Sequence, residues 1–224
     1  MPRLETPDTV SRPAPSAILR DTRVVAVLRA RHAKDYTPVI EALRDGGVLS
    51  IELTLSTPGV FDELPRLQER FGNSVELGVG TVTTAAEAET ALDLGAAYIV
   101  TPITEPDVIT VCTMRGVPVF PGGLTPTELH AGWKLGATAV KVFPASTVGP
   151  GYVSQLRGPF PDIQVVPSGG VDIEDVPAWI RAGALAVSLG GPLLGDAFKV
   201  GSLTELTARA RRVRNLVDEA RGER

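Results

Sequence analysis

A chain of 224 residues, 43% of them hydrophobic, can bury one substantial core and is too short for two comfortable domains, so one domain is expected. A formal net charge of −4 gives no whole-protein field that would draw a polyanion, and the one arginine-rich stretch, Arg209 to Arg214, sits among Ala208, Ala210, Val213 and Leu216 at helical spacing; it reads as the solvated face of a terminal helix, and nucleic acid is excluded as a partner. The single Cys112 allows no internal disulfide, the isolated His32 and His130 do not make a zinc site, and no run suits a membrane span or signal peptide, so a metal-free protein of the reducing cytoplasm is expected, away from any membrane.

Residues Met1 to Ser16, with Pro2, Pro7, Pro13 and Pro15 among charges, read as a loosely ordered lead-in, which leaves residues 17–224 for the folded domain. Eight β-branched or apolar runs follow: Val24–Leu28, Leu49–Leu55, Val75–Val79, Ala97–Val100, Val117–Phe120, Ala139–Phe143, Ile163–Val166 and Ala186–Leu189. Each precedes a helical pattern, and the starts recur every roughly 20 to 27 residues, the spacing of repeating strand–helix units. Thr84 with Glu87, and Thr125-Pro126-Thr127-Glu128, carry the spacing of a capping box. Glycines at Gly46-Gly47, Gly95, Gly116, Gly136 and Gly183 stand where helices must end left-handed. Eight such units in an α/β chain of this length point to a (β/α)8 TIM barrel with a C-terminal helix. An open doubly wound sheet is the alternative, but its GxGxxG fingerprint is missing after the first strand, where Leu28-Arg29-Ala30-Arg31 stands.

Alternate strand residues of a barrel point inwards, and its chemistry sits at the C-terminal strand ends. In Ala139-Val140-Lys141-Val142-Phe143-Pro144, valines facing the helices turn Ala139, Lys141 and Phe143 inwards. Desolvation disfavours the ammonium form of Lys141 and leaves free amine to attack a carbonyl, the activation a Schiff-base lysine needs. Ile51-Glu52-Leu53-Thr54-Leu55 likewise turns Glu52 and Thr54 inwards, and a carboxylate beside an amine can shuttle protons. A structural Lys141–Glu52 bridge is the competing role, though such bridges contribute little stability. Arg29 shares parity with Val25 and Val27, and its planar fork suits a carboxylate, a part Arg31 could fill equally. Gly78-Val79-Gly80-Thr81 offers small residues beside which an anion can approach backbone and hydroxyl. Pro167-Ser168-Gly169-Gly170-Val171 and Gly190-Gly191-Pro192 end strands seven and eight, where barrels commonly bind phosphate on backbone N–H groups.

These motifs, with Gly80-Thr81-Val82, Thr101-Pro102 and Arg157-Gly158-Pro159-Phe160-Pro161, make the chain from about Arg23 to Leu194 resemble the 2-keto-3-deoxy-6-phosphogluconate (KDPG) aldolase family, which includes 6-phosphogalactonate and 4-hydroxy-2-oxoglutarate aldolases. The resemblance implies that Lys141 forms the imine, Glu52 is general acid/base, Phe143 walls the site, Pro102 lines it, and Thr81 with Arg29 holds the pyruvyl carboxylate. It also implies a homotrimer, no cofactor, cleavage to pyruvate and glyceraldehyde 3-phosphate, and a place in Entner–Doudoroff-type breakdown of sugar acids. Two departures bear on substrate: Ser56 stands where many gluconate-type members have an arginine, and Gly191-Pro192 where members usually offer a serine hydroxyl. Rival expectations are a metal-dependent aldolase, a phosphate-binding barrel isomerase and a non-catalytic sugar-acid binding protein.

Overall fold

Parallel strands covered on both faces need nearly continuous apolar sequence, which the runs above supply. The computed structural model describes residues 12–72, 74–199 and 201–222. Its strands are β1 (Val24–Leu28), β2 (Ser50–Thr54), β3 (Glu76–Gly80), β4 (Ile99–Val100), β5 (Val119–Phe120), β6 (Gly122–Gly123), β7 (Val140–Val142), β8 (Val165–Pro167) and β9 (Val187–Leu189). Its helices are α1 (Ala17–Thr22), α2 (Tyr36–Asp45), α3 (Val60–Phe71), α4 (Ala85–Asp93), α5 (Pro106–Met114), α6 (Pro126–Lys134), α7 (Gly151–Arg157), α8 (Val176–Arg181), α9 (Gly191–Leu194) and α10 (Leu203–Gly222).

Six strands pair in the order β5-β4-β3-β2-β1-β9 and three as β6-β7-β8, all parallel. A bridge between Ser168 and Ser188 links the two sheets. The fifth expected strand is therefore two: Pro121 has no N–H to give a ladder, and the chain pairs with β4 before it and with β7 after it. The proline directly after Val117–Phe120 was the available signal.

The strands curl around an inner cluster of Val25, Val100, Phe120, Ala139, Val166 and Ala186, drawn from both sheets and their flanks. Their neighbours Val24, Ile51, Leu53, Val140 and Val142 belong instead to the larger core under the helices. That division is the two-residue alternation expected of strands. Leu19 on α1, a helix the sequence reading did not mark, packs into the inner cluster at the N-terminal strand ends. Ser16 caps that helix, its hydroxyl accepting from Leu19 N at 2.9 Å.

Three other details differ from expectation. Of the lead-in, residues 1–11 lie outside the described residues, but Arg12 to Ser16 pack against the domain. The Arg12 guanidinium lies 3.4 Å over the Trp133 ring and donates to Trp133 O at 2.9 Å and to Ala137 O. The Thr138 hydroxyl donates to Pro13 O at 2.7 Å. Gly46 is not left-handed (φ −88°); a Cβ there would lie 2.4 Å from the Ala210 methyl, so it is glycine because α10 crosses it. Along α10 the buried stripe is Leu206, Ala210, Val213, Val217 and Ala220, with Ala208 exposed and Leu216 half-buried. Both expected capping boxes form, Thr84 with Glu87 and Thr125 with Glu128.

Candidate active site

The C-terminal strand ends open into a cleft of about 490 Å³. Lys141, Glu52, Arg29, Thr81, Pro102, Phe143, Ser168, Gly169, Gly170, Gly190 and Gly191 all line it, as does Thr54. Arg31 is exposed and not part of the lining, so Arg29 is the arginine that strand parity delivers to the cleft.

Lys141 sits mid-strand on β7, with Val140 and Val142 turned into the outer core and its own side chain turned inwards. Lys141 is 7% exposed and Glu52 is 1% exposed. Lys141 Nζ lies 4.0 Å from Glu52 Oε1 and 5.2 Å from the centre of the Phe143 ring. Beneath the pair a void of only about 10 Å³, bounded by Leu19, Val25, Val100, Phe120, Val166 and Ser188, has room for about one water. Apart from Ser188 the floor is thus apolar, which strengthens electrostatics above it. Replacing either member of the pair alone would leave the other buried without its partner, which is costly.

Glu52 owes its position to a missing side chain. A Cβ at Gly80 would stand 1.9 Å from Glu52 Oε1, and one at Gly78 2.2 Å from the Tyr98 ring. These glycines make room for interior side chains and not, as their sequence suggests, for the approach of an anion. Tyr98 takes a hydrogen bond from Ser50 Oγ at 3.2 Å, and complete burial pushes its phenol well above the usual range. Next in the chain, Thr81 has φ 60°, a left-handed conformation costly for a β-branched residue and of the kind that clusters at functional sites.

A chain of hydroxyls aims Arg29. Arg29 Nε donates to Ser56 Oγ at 2.9 Å, Ser56 donates to Thr54 Oγ1 at 3.1 Å, and Thr54 donates to Leu28 O at 2.9 Å. Each hydroxyl spends its one proton in the same direction, so Ser56 can only accept from the guanidinium. Ser56 therefore positions the arginine, a role not visible when it was read only as a departure from the family pattern.

Across the cleft, Gly169 and Gly170 are left-handed (φ 82° and 74°), and side chains there would strike the Phe143 ring and Ser146. Ser168 Oγ donates to Ser188 Oγ at 3.3 Å, tying the ends of β8 and β9. Asp196, Phe198 and Lys199, which carry no motif in the sequence, also line the cleft. The histidines lie elsewhere: His32 Nδ1 accepts from Lys34 N at 3.2 Å, and His130 stacks on Phe160 with ring centres 4.1 Å apart. Among the described residues no group of three or more His, Cys, Asp or Glu could hold a metal ion.

Residues 16–208 match the sequence profile of the KDPG and KHG aldolase family. The 2-dehydro-3-deoxy-6-phosphogalactonate aldolase of Escherichia coli K12 is 32% identical over 186 residues, 83% of this chain and 89% of that protein. The 2-dehydro-3-deoxy-phosphogluconate aldolase of Treponema pallidum is 29% identical over 89% of this chain and 95% of its own. The structure of the Legionella pneumophila KDPG aldolase, with pyruvate captured as a covalent carbinolamine intermediate, superposes with a TM-score of 0.80 at 25% identity, covering 88% of this chain and 96% of that one. With a profile match over most of its length and a cleft at the expected strand ends, the chain belongs to the KDPG and KHG aldolase family.

Proposed function

We propose that the protein is a class I aldolase that cleaves 2-dehydro-3-deoxy-6-phosphogluconate to pyruvate and glyceraldehyde 3-phosphate. The observation that carries this is the buried pair of Lys141 and Glu52, facing each other at 4.0 Å in the cleft. The free amine of Lys141 adds to the C2 ketone, and loss of water gives a protonated imine. Glu52 takes the C4 hydroxyl proton, directly or through one water, the C3–C4 bond breaks, and the imine nitrogen accepts the electron pair as an enamine. The aldehyde leaves, C3 is protonated, and water returns to release pyruvate and the amine. Arg29, aimed by Ser56, and Thr81 hold the carboxylate, while Phe143 and Pro102 bound the pyruvyl end. Gly169, Gly170, Gly190 and Gly191 have no side chains to keep a phosphate from their backbone N–H groups, and Ser168 lies beside them.

The galactonate epimer is the second reading, favoured by Ser56 in place of an arginine and by the name of the 32% identical relative. 4-Hydroxy-2-oxoglutarate is the unphosphorylated third. Pyruvate release from both epimers, each with and without the 6-phosphate, tests the proposal. It predicts turnover of the phosphorylated gluconate acid without added metal; turnover of the galactonate epimer alone selects the second reading, and no pyruvate from any of them overturns both.

The same reading takes the two sheets as one closed (β/α)8 barrel of a single domain, with its fifth strand bent at Pro121. Bonds from Thr138 N to Val119 O (3.0 Å), Lys141 N to Pro121 O (2.8 Å) and Leu185 N to Val165 O (2.8 Å) run across the joins. Family membership supports a homotrimer and a role in Entner–Doudoroff-type catabolism, and the buried free Cys112 suits a reducing cytoplasm. No described helix is long and apolar enough to cross a membrane.

A further inference from the structure

The rim of the cleft holds a cation that the mechanism above does not use. Lys199 lies on the turn after α9. Ala197 N donates to Leu194 O at 3.1 Å, and Lys199 N and Gly201 N donate to Asp196 O at 2.7 and 3.2 Å, closing the turn on itself. A Cβ at Gly201 would lie 2.0 Å from Asp196 Oδ1, so glycine there lets the carboxylate fold over the turn. Phe198 anchors it, its ring edge-on to Tyr36 with centres 5.8 Å apart. Tyr36 is itself fully buried, its hydroxyl donating to Leu28 O at 3.4 Å. With residue 198 pinned, Lys199 stands exposed at the rim of the cleft that Gly190, Gly191 and Arg29 also line.

Chemistry decides what that cation is for. The amine of Lys141 is committed to the ketone and Arg29 to the carboxylate, yet the substrate carries a second anion at its far end. Next to Gly190, Gly191 brings no hydroxyl and Pro192 brings neither hydroxyl nor N–H, so that part of the rim lacks a side-chain donor. An ammonium on a flexible stem, with three donors, suits a phosphate whose position varies between epimers. We infer that Lys199 is a specificity-determining residue that binds the distal phosphate of the substrate and favours phosphorylated over unphosphorylated 2-keto acids. The inference deepens the proposed aldolase activity and rests on it.

Lys199→Ala and Lys199→Arg are compared with the parent on a phosphorylated 2-keto-3-deoxy acid and its unphosphorylated counterpart. Lys199→Ala is expected to raise KM for the phosphorylated acid roughly two- to fivefold, leave kcat within about twofold, and leave KM for the unphosphorylated acid unchanged. The KM of Lys199→Ala should depend less steeply on salt, and Lys199→Arg should restore most of the affinity. An unchanged KM, an equal rise for both acids, or a parent that does not prefer the phosphorylated acid overturns the inference. Calorimetric titration with inorganic phosphate reads the contact without turnover, and equal affinity in parent and Lys199→Ala also overturns it. Borohydride trapping of pyruvate, run in parallel, separates the two layers: normal trapping with an unchanged KM refutes the role of Lys199 alone, whereas no trapping in the parent refutes the aldolase reading.

Discussion

Replacing Gly80 by alanine should damage catalysis far more than folding. The added methyl would start 1.9 Å from Glu52 Oε1, so the carboxylate must retreat by roughly 1.5 Å to regain an ordinary contact of about 3.4 Å. A displacement of about 1 Å in a reacting group costs on the order of 100-fold in rate, so kcat should fall by about that factor or more. Overpacking one methyl costs about 1–3 kcal/mol of stability. Gly78→Ala is the control: its methyl would start 2.2 Å from the rigid, buried Tyr98 ring, so it should lose more stability and less rate. The assay is steady-state pyruvate release beside urea unfolding for both variants. A Gly80→Ala enzyme that keeps its parent's kcat, or one whose loss merely matches that of Gly78→Ala, refutes the idea that Gly80 sets the carboxylate.

Two other perturbations follow from the same geometry. Ser56→Ala removes the acceptor for Arg29 Nε; at about 0.5–1.5 kcal/mol for one hydrogen bond, KM should rise roughly 2- to 12-fold with kcat nearly unchanged, and a fall in kcat at constant KM would contradict a positioning role. Glu76, buried at the start of β3 with no hydrogen-bond partner on Oε1, has its carboxyl held above the usual range by burial, partly offset by Ser16 and Ser50. A carboxyl pKa raised in the folded state favours folding at low pH, and that contribution is lost as pH climbs through the raised value. Glu76→Gln, which stays neutral, should therefore gain in Tm over its parent as pH rises above the ordinary carboxylate range, and a gap in Tm that is constant with pH would contradict this.

What could be read from sequence was whatever repeats locally. The alternation around Lys141 and Glu52 puts both in the interior because strand parity needs only neighbouring residues, and Thr84 to Glu87 announces a helix start over one turn. What could not be read depended on register or on distant partners. Gly80 serves Glu52 only because β2 and β3 pair Thr54 with Gly80, and Ser56 meets Arg29 across 27 residues. Lys199 reaches the cleft through a turn with no periodic signal, anchored by a Tyr36 contact that spacing cannot foresee. The break at Pro121 and the helix capped by Ser16 are different cases. Their cues, a proline ending a strand and a serine three residues before an apolar position, are both local and present in the sequence.

The central claim is covalent, and mass spectrometry reads it directly. Incubation with pyruvate and borohydride, followed by proteolysis, should give one modified peptide, carrying reduced pyruvate on Lys141, with loss of activity in proportion to labelling. An active enzyme left unmodified at Lys141, or labelled on another lysine while Lys141 stays free, would contradict the account.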